Sequence, residues 1–162
     1  MLKKNGTNAL KKNGRAMTTI CRLYVAQCET KDHFYVGTTL RIPYMRDREH
    51  RERTYGAAWT RQHGYRGMLT CDLIDPAHAS NLEDDMTKYL MSIYGVHAVR
   101  GGNFLHESYI PWQFTRGSPA DVLELRTGTV SKFGSELRGL IDRFSAVCGL
   151  ENPDHLYADP LP

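Results

Sequence analysis

The chain has 162 residues, of which 41% are hydrophobic and 24% charged, with a formal charge of +3. That is enough for one domain with its own core and too little for two comfortable ones, and it is not the composition of a disordered or membrane-embedded chain. No apolar run approaches the roughly 20 residues of a membrane span, and no signal-type stretch opens the sequence. Cys21, Cys28, Cys71 and Cys148 lack the spacing of a zinc knuckle or a small disulfide framework, so an intracellular protein with reduced thiols is expected.

In chain order, residues 1–18 read as a basic N-terminal arm in which Leu2-Lys3-Lys4-Asn5-Gly6 returns as Leu10-Lys11-Lys12-Asn13-Gly14. Two such copies are too few and too short for a repeat fold, so Lys3, Lys4, Lys11 and Lys12 are either phosphate contacts or a solubilising extension. Residues 20–28 and 33–38 are rich in β-branched and apolar side chains around a polar break, which predicts a β-hairpin. Pro43 suits a first helical turn, and the charges that follow fall at helical spacing, so residues 43–53 are expected to form a helix with little apolar surface of its own. Residues 54–64 read as glycine-punctuated loop, and 66–74 as a third strand closed by Asp75-Pro76.

The clearest helix covers 78–94, where Leu82, Met86, Tyr89, Leu90 and Ile93 recur at three and four residues and Gly95 follows the end. Two further helical patterns, 120–126 and 132–148, lie in a C-terminal extension spanning 105–150, ahead of an acidic tail over 151–162 carrying Glu151, Asp154 and Asp159. The predicted fold class is α+β, a small antiparallel three-stranded sheet flanked by helices within a core of 19–104, with extra C-terminal helices.

Candidate chemistry starts on the first helix. Arg46 and His50 are four residues apart and share one face, where a permanent guanidinium and an imidazole suit a phosphate. The surrounding arginine-dense segment makes Arg48 and Arg51 expected nucleic-acid contacts. On the later helix, Glu83 is the acid nearest the apolar stripe, and a carboxylate at the edge of a core calls for a cation or an arginine. Asp84 should point away, with Lys88 as a surface partner. Tyr24 and Tyr35 stand in adjacent strands, where packing alone would be an ordinary role for them.

Taken together, Leu23-Tyr24-Val25, Tyr35-Val36-Gly37-Thr38-Thr39, Arg46 through His50, Glu83 with Thr87, and Val99-Arg100-Gly101-Gly102 resemble, in order and spacing, the core of the GIY-YIG endonucleases. They are similar in particular to a branch found in large DNA viruses and some bacteria. The resemblance covers residues 20–104 and implies a metal-dependent endonuclease acting on DNA. By that resemblance the catalytic residues would be Tyr24, Tyr35, Arg46, His50 and Glu83. Glu83 would hold one Mg²⁺ or Mn²⁺, Arg46 would clamp the phosphate, and either Tyr24 or His50 would serve as general base. The chain departs from the family pattern in lacking the first glycine and in having Ala98 where the family carries an asparagine, a role Asn103 could take over. A domain that binds nucleic acid without cutting it, and an unrelated α+β interaction module, are the alternatives. A homodimer or a targeting partner would supply the specificity that no appended DNA-reading motif provides.

Overall fold

The computed structural model describes residues 18–105 and 134–149. The elements run β1 (Cys21–Cys28), β2 (Phe34–Thr39), α1 (Pro43–Arg51), α2 (Ala58–His63), β3 (Tyr65–Ile74), a 3-10 turn (Pro76–His78), α3 (Ala79–Tyr94), β4 (Val99–Gly101) and α4 (Gly134–Cys148). The predicted hairpin is present, and so is the strand after it. The sheet has four strands rather than three, in the order β3-β1-β2-β4, and it is mixed rather than purely antiparallel. β1 pairs antiparallel with both neighbours, whereas β4 runs parallel to β2, with Phe34 opposite Val99 and Val36 opposite Gly101. A return to a parallel position needs a long crossover. Here α3 supplies it, leaving β3 at one edge and crossing to β4 at the other.

Burial on both faces explains why β1 is apolar almost throughout. On one face Leu23, Val25, Phe34 and Val36 pack with Leu82, Met86 and Leu90 of α3 and with Leu140, Ile141 and Phe144 of α4. On the other, Tyr24, Ala26 and Tyr35 form a second cluster with Trp59, Tyr65 and Met68, under α1 and α2. Side chains alternate between faces along a strand, so Tyr24 and Leu23 must face opposite ways. That alternation puts both tyrosines beneath α1.

The α3 stripe differs from expectation at its end. Ile93 is partly exposed, while Thr87 and Met91 are buried in addition to the expected Leu82, Met86, Tyr89 and Leu90. The segment read as loop over 54–64 contains α2, a helix of six residues between Gly56 and Gly64. α1 carries almost no apolar side chain inward; its buried residues are Glu49 and His50, so it docks by polar contacts. The basic arm, the pattern at 120–126 and the acidic tail lie outside the described residues, as do Lys3, Lys4, Lys11 and Lys12. Among the described residues, no helix is long and apolar enough to cross a membrane.

Candidate active site

At the centre of the site is the Tyr24 hydroxyl. Register places Tyr24 opposite Gly37 on β2, and the phenol ring lies over that glycine. A Cβ added at Gly37 would stand 2.5 Å from the Tyr24 hydroxyl and 2.9 Å from the Tyr35 ring. Glycine is required here for space. Gly37→Ala is expected to displace Tyr24, destabilise the fold by about 1–3 kcal/mol and lower any activity of the site with it. Urea denaturation beside an activity assay checks this, and a fully stable, fully active variant would contradict the packing described.

The hydroxyl has two partners, Arg46 Nε at 3.0 Å and His50 Nε2 at 3.0 Å. The direction of each bond follows from its neighbours. Thr60 donates its hydroxyl proton to the Ala57 carbonyl at 2.9 Å, so in its 3.1 Å contact with His50 Nδ1 it accepts. His50 therefore carries its proton on Nδ1 and presents a lone pair at Nε2. Arg46 can only donate. The Tyr24 proton accordingly points at His50 Nε2, with the Arg46 proton on the phenol oxygen. Thr60 and Tyr65, which stacks on the His50 ring at 4.9 Å and donates to Asp47 at 2.6 Å, fix the imidazole from two sides.

Burial dominates the electrostatics. It pushes Tyr24 above the ordinary phenol range, aided by Tyr35 and Glu83 and opposed by Arg46. It raises Tyr35 to about 12, with Glu83 adding to the shift. Burial and the Arg46 charge lower His50 to about 4, against Glu49 and Asp47, which favour its charged form. The resting site is thus a neutral phenol on a neutral imidazole. Between pH 4 and 6.5 the unfolded chain binds a proton at His50 that the folded chain does not. Stability from this group is therefore complete above about 6.5 and lost as pH falls toward 4, by up to about 3 kcal/mol. Urea midpoints measured from pH 7 to 4 should fall more steeply for wild type than for His50→Gln, and parallel profiles would contradict the assignment.

Arg46 is more committed than its sequence position suggests. Nη1 pairs with Glu49 at 2.9 Å and with the Tyr55 carbonyl at 3.1 Å, and Nε is on Tyr24. Among the described residues only Nη2 is left without a partner. A two-pronged clamp through Nε and Nη is therefore not open to it; a phosphate would meet Nη2. Arg41 also pairs with Glu49, so two guanidiniums share one carboxylate.

Glu83 approaches from α3. Its two carboxylate oxygens accept from Thr38 Oγ1 at 3.1 Å and from the Gly102 amide at 3.2 Å. Burial raises its pKa against these two donors and against Arg46. No cation among the described residues forms an ion pair with it. A half-buried carboxylate served by two neutral donors fits a single hard cation whose other ligands are water and phosphate. Among the described residues no three His, Cys, Asp or Glu side chains gather as a ready cage.

Asp84 does not point to a surface lysine: it accepts from the Asn103 amide at 2.8 Å and from Asn103 Nδ2 at 2.7 Å. The Gly102-Asn103 turn is thereby tied to the start of α3 by two adjacent acids, with Gly102 at φ 51°. Asn103 is thus occupied by Asp84, and Ala98 is buried in the main core.

Tyr24, Tyr35, Arg46 and His50 are brought together by contact, and Glu83 lies near enough to act on both phenols. Arg48 and Arg51 sit apart on the outer side of α1, paired with Glu52 and Asp47 at 2.7 Å each. Thr38 and Gly102 stand within the resembling motifs, but their contacts leave no sign in the sequence, nor do those made by Thr60 and Tyr65. No family model, no curated protein and no solved structure matches this chain.

Proposed function

We propose that the chain is a metal-dependent endonuclease of the GIY-YIG kind, hydrolysing DNA phosphodiester bonds at the Tyr24–His50–Arg46–Glu83 site. The observation that carries the reading is the directed chain Arg46→Tyr24→His50→Thr60, with a cation-ready carboxylate facing the same phenols. A structural tyrosine needs one partner at most; this one is wired to a base and to a phosphate-binding cation.

Glu83 would hold the Mg²⁺ or Mn²⁺, which when bound supplies a Lewis acid that draws charge from a phosphate oxygen. Arg46 Nη2 binds a nonbridging oxygen and offsets the charge that grows on it. Tyr24 takes a proton from the attacking water as it passes its own to His50 Nε2; the water oxygen bonds to phosphorus as the bond to the leaving oxygen breaks, and that oxygen takes a proton from solvent. Burial and Arg46 work against the proton on His50 while Glu49 and Asp47 favour it, so the imidazole gives it up again to solvent. In this path Tyr24, itself buried, passes the proton on and His50 receives it. Tyr35, whose hydroxyl engages no other described side chain, is free to orient water or phosphate.

An oligonucleotide blocked at both ends, offered both as a single strand and as a duplex, tests the reading. Internal cuts in Mg²⁺ or Mn²⁺ and none in EDTA are expected, and intact DNA under all three conditions would count against it. A second reading, a domain that binds DNA without cutting, is favoured by one observation: Ala98 brings no amide to the site, and Asn103 is held elsewhere.

A further inference from the structure

The segments flanking Arg46 expose apolar side chains at unusual density. Of the ten large hydrophobic residues exposed among the described residues, five lie between Leu40 and Tyr55: Leu40, Ile42, Tyr44, Met45 and Tyr55. Leu40 and Ile42 stand in the loop from β2 to α1, Tyr44 and Met45 open α1, and Tyr55 follows its end. Tyr55 is 74% exposed and Leu40 66%, a state that costs free energy in water unless a ligand covers it.

These side chains are interleaved with charge. The sequence reads Leu40-Arg41-Ile42-Pro43-Tyr44-Met45-Arg46, and because Arg41 and Arg46 share the single carboxylate of Glu49, the cluster keeps a net positive charge. Tyr55 is tied to the same arginine through its carbonyl, and Gly56 beside it is buried against His50. The Tyr55 backbone is therefore fixed beside the site while its ring stands exposed.

A paired duplex offers such a surface only phosphates and sugars, because its base faces are hidden in the stack. A strand with unpaired bases offers phosphates alternating with apolar faces, which is the pattern of this rim. We infer that the substrate is DNA with unpaired bases, and that Leu40, Ile42 and Tyr55 seat bases beside the phosphate held by Arg46, while Tyr44 faces the other side of α1, along β3. The choice of DNA rests on the proposed nuclease reading; the choice of unpaired strand rests on the rim.

Binding is measured with the full chain carrying Glu83→Gln, by fluorescence anisotropy, against one labelled oligonucleotide used alone and annealed into a complete duplex at the same salt. The single strand is expected to bind about tenfold tighter, and Ile42→Ser with Tyr55→Ser to remove about that factor while duplex binding changes by less than about twofold. Leu73→Ser, an exposed apolar residue on β3, should alter neither. Equal binding of the two DNAs, or a single-strand preference that survives the paired substitutions, overturns the inference. Cleavage by the unsubstituted protein is scored separately. Cutting without a strand preference removes only the rim's role, and a rim-dependent preference without cutting removes only the nuclease reading.

Discussion

Glu83→Gln is expected to lower cleavage by about a thousandfold or more, to leave DNA binding within reach of wild type, and to leave the fold as stable or more so. The first part follows from charge: the amide keeps the volume of the carboxylate but cannot hold a divalent cation. The last part follows from burial, which raises the Glu83 pKa despite donors from Thr38 and Gly102. A carboxyl whose folded pKa is raised is less stable charged in the fold than in the unfolded chain, so its ionisation at neutral pH costs stability. Glutamine removes that cost. A gain in thermal midpoint alongside a loss of activity is the signature of a group kept for function, and thermal melts beside a cleavage assay will show it. Wild-type cleavage by the variant would show that Glu83 holds no essential metal.

Tyr24→Phe should lose activity by about a hundredfold to ten-thousandfold and, unlike Glu83→Gln, should also cost stability. Removing the hydroxyl strands Arg46 Nε and the His50 Nε2 lone pair, which face it at 3.0 Å each, with His50 almost fully buried. Leaving buried groups unpaired costs about 1–3 kcal/mol. Tyr35→Phe is the internal comparison, because the Tyr35 hydroxyl has no described partner to strand. Its stability should hardly move. Urea denaturation of the three proteins with single-turnover cleavage separates the cases, and a Tyr24→Phe enzyme with wild-type turnover would remove the phenol from the proton path.

The features visible in the sequence are those set by local periodicity. Alternation in 20–28 and the helical recurrence of Leu82, Met86 and Leu90 depend on near neighbours, and those elements are present with small shifts at their ends. The same recurrence placed Glu83 at the edge of the core. β4 is three residues long, too short to show any period, and it exists because α3 delivers it beside β2. α2 is six residues between glycines, below the length at which a stripe can be read. Asp84 was assigned a neighbour four residues on, whereas its partner, Asn103, is brought by a turn nineteen residues away. The contacts of Thr38 and Thr60 are not legible in the sequence for another reason. A threonine carries no pattern of its own, and its role here comes entirely from which hydroxyl or carboxylate the fold sets beside it.

The central claim is that one site joins a proton-passing phenol to a metal-holding carboxylate. It is tested most directly by incubating supercoiled plasmid with the wild-type protein and with Glu83→Gln, each in Mg²⁺, Mn²⁺ or EDTA. Nicking by the wild type alone, and only with a divalent cation, is the expected result. Nicking that persists in EDTA or in the variant, or none by the wild type in either metal, would contradict the account.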